Sequence, residues 1–126
     1  HDCLAAVHTT KLISYLKPTS RLLTVGVCKG VYDVFGLFTV SQHVSSVSEI
    51  TGLPEDEPPF AAVLVALGED GGTAFLHGLQ ALKWRTEESA IVALFGAGDP
   101  TAFLDLYAPI EGAPRSVHGM LLRRRE

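Results

Sequence analysis

The chain has 126 residues, 47% of them apolar, and a formal charge of −4. That length fits one domain with a sizeable core and no need of staples, and the mild acidity argues against a general nucleic-acid binder, which would carry a basic face. The composition is neither disordered nor fibrous, and no apolar run approaches the roughly 20 residues of a membrane helix.

The chain starts His1-Asp2-Cys3, with no charged segment ahead of an apolar one, so no signal peptide is expected; His1 in place of Met marks a trimmed or mature fragment. Cys3 and Cys28 have neither metal-motif spacing nor the density of a secreted scaffold, which reads as two reduced thiols in an intracellular protein. Residues 4–16 place Leu4, Val7, Ile13 and Leu16 in rough helical register, and Lys17-Pro18 ends that helix. Arg21 to Val27 is a short strand or extended segment, interrupted late by Gly26. Lys29 to Phe38 carries Val31, Val34, Phe35 and Phe38 on one helical stripe, weakened by Gly30 and Gly36 at about 1 kcal/mol each.

Thr39 to Ser48 is undecided. Val40, Val44 and Val47 suit a helix, whereas the β-branched and serine content suits an exposed strand or loop. Glu49 to Pro59, rich in proline and acids, is read as a surface loop, and 37–59 as a long surface insertion or loop. Phe60 to Leu67 is an unbroken apolar run, the mark of a strand buried on both faces. Gly68-Glu69-Asp70-Gly71-Gly72 stops it, and Thr73 is placed as the N-cap of a helix with Phe75, Leu76, Leu79 and Leu82 at helical spacing. Thr86 to Ser89 closes that helix and Ala90 to Phe95 is the next strand, which makes a βαβ unit with parallel strands. Asp99 is expected to cap a short helix over Thr101 to Tyr107, with Pro100 at its first position. Ala108 to Arg115 is a loop and Ser116 to Leu122 the last strand, followed by Arg123-Arg124-Arg125 as a solvated tail. The expected architecture is one α/β domain over 1–126, a three-layer α/β/α sandwich with a mixed central sheet.

Chemistry is sparse. Gly26-Val27-Cys28-Lys29-Gly30 lacks the spacing and final hydroxyl of a P-loop. The turn through Glu69 and Asp70 precedes a helix, but its acids repel phosphate, so a dinucleotide site is weak there. The same objection applies to a methyltransferase-like cofactor site, although the βαβ order would permit one. His8, His43, His77 and His118 are scattered, without metal spacing, and no nucleophile elbow is present. The expectation is therefore no catalytic, cofactor or metal residue. The acids at 55–57 and 69–70 lie in two loops and would face a basic protein partner if both loops shared one end of the sheet.

The run Val65-Ala66-Leu67-Gly68-Glu69-Asp70-Gly71-Gly72-Thr73-Ala74, followed by a helix through Gln80-Ala81-Leu82, resembles the growth-arrest and DNA-damage-inducible family. So do Arg21 to Val27, Glu111-Gly112-Ala113-Pro114, and Val117 to Leu122 with its histidine. The resemblance places the chain in the kink-turn-binding ribosomal protein superfamily. It implies a non-enzymatic stress-response adaptor, nuclear and cytoplasmic, that binds kinases, cell-cycle or DNA-repair proteins. Glu69, Asp70 and Glu111 would make those contacts. A helix presenting Phe75, Leu76, Leu79 and Leu82 would self-associate into a homodimer. No small-molecule substrate, cofactor or membrane contact is implied. The superfamily's RNA-holding Asn-Glu pair is absent at Val27-Cys28, so tight RNA binding is not expected. The alternatives are a divergent RNA-binding member of the same superfamily and a small α/β enzyme, which would show a pocket lined by convergent polar groups.

Overall fold

The computed structural model describes residues 21–26, 40–68, 72–95, 98–110, 115–116 and 119–125. The expected helices at 4–16 and 29–38 lie outside them. Strand β1 (Leu22–Val25) is followed by β2 (Val40–Val44), a 3₁₀ helix (Val47–Gly52), β3 (Phe60–Ala66), helix α1 (Gly72–Arg85), β4 (Thr86–Phe95), helix α2 (Thr101–Leu106), and strands β5 (Tyr107–Pro109), β6 (Arg115–Ser116) and β7 (Gly119–Arg124). The sheet runs β2-β1-β3-β4-β7-β5, with β6 also paired to β7. Strands β1 to β4 are mutually parallel, and β7 is antiparallel to β4, β5 and β6. This is the expected mixed-sheet α/β fold.

The central strands are apolar on both sides because both faces are buried. Leu23, Val25, Val63, Val65, Val92, Leu94 and Leu122 join one core with Phe75, Leu79 and Leu82 of α1 and Phe103 of α2. Leu22, Leu64, Ile91 and Leu121 alternate with them along the same strands and are also excluded from water. Two buried faces demand a layer on each side, which is the three-layer arrangement.

Several local readings are corrected. The undecided stretch after Thr39 becomes β2, in parallel register with β1 (Leu23 opposite Gln42, Val25 opposite Val44). Pairing with a neighbour strand decided between two periodicities that its valines fit equally. The stretch 37–59 is thus not a surface insertion throughout. Its 3₁₀ helix buries Val47 and Ile50, and Leu53 is also in the core. The exposed remainder is tied down. Arg21 donates to Pro58 O and, at 2.9 Å, to Glu57, and its guanidinium lies 4.7 Å from the centre of the Phe60 ring. Arg85 donates to Leu53 O at 3.3 Å, with Glu55 3.6 Å away.

Helix α1 begins at Gly72, so Thr73 sits inside its first turn instead of capping it. Gly78 has a packing reason: a Cβ there would lie 2.0 Å from Val47 O, so α1 and the 3₁₀ helix touch backbone to backbone. The helix passes directly into β4. Thr86 Oγ1 donates to Leu82 O at 2.8 Å, and Arg124 Nη2 donates to Lys83 O at 2.6 Å, satisfying carbonyls that the helix end leaves free. The ladder register shifts between Phe60 and Ala62, leaving Glu87, Glu88 and Ser89 exposed before the regular pairing from Ile91 onward. The expected solvated arginine tail is corrected too. Arg123 and Arg124 belong to β7, and Arg125 Nε donates to Leu104 O at 2.9 Å.

Candidate functional site

The chain runs from β1 outward to β2 and then returns to place β3 on the other side of β1. That reversal is a topological switch point, and open α/β sheets bind ligands in the crevice beyond the carboxyl ends of the strands there. A cavity of about 320 Å³ lies at this place. It is lined by Val25 at the end of β1, Ser45 to Val47 after β2, Val65 to Gly68 at the end of β3, Phe75 of α1, and Asp99 after β4.

Each wall has a local cause. At the exit of β1, Gly26 takes φ +59° and donates its N–H to Val44 O at 2.9 Å. A Cβ on Gly26 would lie 3.2 Å from Ser45 O, so the exits of β1 and β2 meet there as bare backbone. Ser45 N donates to Glu49 Oε1 at 3.0 Å, which brings that carboxylate back to the end of β2. The hydroxyls of Ser46 and Ser48 are 2.9 Å apart. On the opposite wall a Cβ on Gly98 would lie 2.7 Å from Gly68 O, so the loops after β3 and β4 are also in backbone contact. Next to Gly98, Asp99 Oδ1 accepts from Thr101 N at 3.0 Å and from Thr101 Oγ1 at 2.5 Å. These bonds, the hydroxyl's first, hold the exposed carboxyl below its ordinary pKa. Phe75 packs edge-on against Phe103, with ring centres 6.1 Å apart and planes at 77°. Among the described lining residues there is no Lys, Arg or His.

Of the residues singled out from sequence, Glu69, Asp70 and Glu111 lie outside the described residues. Phe75 is a wall of the cavity. Leu79 and Leu82 are core, and Leu76 alone of that helix set is on the surface, 53% exposed. Ser45, Ser46 and Val47 belong to a stretch whose element the sequence leaves undecided, and Asp99 carries only the signal of a helix cap. A glycine closing the first strand was the available signal at Gly26. Among the described residues no group of three or more His, Cys, Asp or Glu is gathered as a metal would need, and no helix is long and apolar enough to cross a membrane.

No protein-family model and no curated protein matches the sequence. Solved structures do match in fold. An rRNA methylase from Streptococcus thermophilus superposes with a TM-score of 0.56 at 10% identity, covering 94% of this chain and 95% of its own. A Streptococcus mutans protein proposed to be a methyltransferase, solved in complex with SAH (S-adenosylhomocysteine), gives 0.55 at 11% identity over 95% and 97%. Precorrin-6y C5,15-methyltransferase from Geobacter metallireducens gives 0.55 at 14% over 94% and 85%. The fold is the one these methyltransferases share.

That likeness overturns the placement in the growth-arrest and DNA-damage-inducible family and in the kink-turn-binding superfamily. The non-enzymatic adaptor with stress-response, cell-cycle and DNA-damage roles falls with it, as does the RNA-binding alternative drawn from that superfamily. The expectation of no small-molecule substrate is likewise corrected, since the S. mutans protein holds SAH on this fold. The resemblance had rested on a strand, an acidic loop and a helix in succession. Such a succession is local, whereas the order in which strands lie side by side is set by crossovers that no single segment encodes.

Proposed function

We propose that the chain is a small methyltransferase that binds S-adenosylmethionine in the cleft at the carboxyl ends of β1, β2 and β3. The observation that carries this reading is a switch-point cavity with hydroxyl, carboxylate and aromatic walls and, among its described lining residues, no basic side chain. A nicotinamide or flavin dinucleotide brings phosphates, which such walls repel. An adenosyl sulfonium brings none, and its charge is positive. The acidity that argues against a phosphate cofactor therefore favours this one.

The described residues fit such a group. Gly26, lacking a side chain, lets the ends of β1 and β2 meet as backbone beside the cavity. The hydroxyls of Ser45 and Ser46 can bond ribose hydroxyls, while Val47, Leu67 and Phe75 supply apolar surface for the base. When bound, the cofactor would supply an electrophilic methyl group for a nucleophilic acceptor. The walls' task is to hold it and keep water from the reacting atoms.

Thermal melts with millimolar S-adenosylhomocysteine, set beside NADH at equal concentration, test the proposal. Binding to the folded chain alone at a hundred times Kd adds about 2.7 kcal/mol of stability. A clear rise in Tm with S-adenosylhomocysteine and none with NADH is expected. An unchanged Tm with S-adenosylhomocysteine would overturn the reading.

A further inference from the structure

Asp99 and Phe75 stand on the same cavity, one after β4 and the other in the second turn of α1. Each is held in place. The close approach of Gly98 to Gly68 fixes the loop that carries Asp99, and the Phe103 edge contact fixes the Phe75 ring. Both described hydrogen bonds to Asp99 converge on Oδ1, so Oδ2 keeps its lone pairs for a ligand. A cavity that offers both an ionised carboxylate and an aromatic ring holds the two groups that recognise organic cations, the first by Coulomb attraction and the second through its quadrupole. The described lining holds no competing cation.

We infer that Asp99 and Phe75 form a seat for a small organic cation, so that this cleft selects a positively charged ligand over its neutral counterpart. The inference rests on the reading of the cleft as a ligand site and names the chemistry of what enters it. Two sources share that chemistry: the sulfonium of S-adenosylmethionine and the ammonium of an amine methyl acceptor.

Calorimetric titrations of the wild-type chain and Asp99→Asn separate the sources. Asparagine keeps an acceptor for Thr101, so the chain should stay folded with only a small fall in Tm while the charge is lost. In one arm S-adenosylmethionine and S-adenosylhomocysteine are compared. A preference of about two- to fivefold for the sulfonium, the range of a solvent-exposed ion pair, that disappears in Asp99→Asn assigns the seat to the cofactor. In the other arm n-butylammonium chloride is titrated into protein with and without saturating S-adenosylhomocysteine. Ammonium binding that requires Asp99 assigns the seat to the acceptor. If S-adenosylhomocysteine fails to bind while butylammonium binds through Asp99, the methyltransferase reading falls and the cation seat stands. If neither the sulfonium preference nor the ammonium binding changes in Asp99→Asn, the inference is overturned.

Discussion

Gly78 shows how much one missing side chain can decide. Alanine is usually the better helix former by about 1 kcal/mol, yet here its methyl would lie 2.0 Å from Val47 O, a backbone atom that cannot swing aside. Gly78→Ala is expected to destabilise by about 1–3 kcal/mol, the usual range for overpacking. Gly52→Ala, where a Cβ meets nothing within 4 Å, should stay within about 0.5 kcal/mol. Urea melts of the two variants check both. Tyr107 offers the opposite case. Its hydroxyl is buried with no well-formed hydrogen bond among the described residues, and burial raises its pKa against the pull of Arg124 and of the nearby Thr86 side chain. Tyr107→Phe should therefore hold or raise stability, by up to about 1 kcal/mol. The raised pKa keeps the folded state protonated after the unfolded chain has ionised, so wild-type stability should fall as pH climbs above about 10. The phenylalanine variant should lose that part of the alkaline decline in pH-dependent melts. At Asp99 the sign reverses. Its lowered pKa adds stability above the ordinary carboxylate range, lost as pH falls through the folded value.

Helix α1 separates what a periodicity can say from what it cannot. Of the four side chains at helical spacing, Phe75, Leu79 and Leu82 form the buried stripe. Leu76 (53% exposed) and Trp84 (76%) lie off it. Leu82→Ala should cost about 2–5 kcal/mol through its cavity, whereas Trp84→Ser should move stability by no more than about 0.5 kcal/mol; chemical denaturation of both variants measures the contrast. The helix start was less legible, because Thr73 has the chemistry of a cap but Gly72, with φ +82°, already lies in the helix. In β2 the valines at 40 and 44 satisfy both a helical and a strand reading, and only the parallel ladder with β1 resolves them. Asp99 was read as the cap residue; the cap position itself is Pro100, and Asp99 reaches Thr101 from one residue further back.

For the whole molecule, the alternation of apolar runs and helical stripes was enough to read a layered α/β sandwich with a mixed sheet. The order of the strands was not readable, and the site depends on that order. Val25, Ser45 and Val65 become neighbours only because the chain leaves β1 on one side and comes back on the other. Nothing in the composition of those three residues announces it. This is also why identities of 10–14% can accompany a shared fold: packing asks for apolar side chains at the right period, while the chemistry of the cleft sits on a few loop residues free to differ.

Strand β7 follows the other strands in sequence yet lies between β4 and β5 in the sheet. During synthesis, β1 to β4 can pair as their residues emerge, but the open side of β4 has no occupant until residues 119–124 have left the ribosome. Until then β4 presents an unpaired ladder beside apolar side chains, the condition under which nascent chains join one another edge to edge. The same late segment carries Arg124, which satisfies the Lys83 carbonyl at the far end of α1, 41 residues earlier. The completing step is thus a long-range closure, slow compared with the local folding that precedes it. A chain stopped before Gly119 should collect in the insoluble fraction on expression. Supplying the missing strand as a separate peptide during refolding should return part of it to solution.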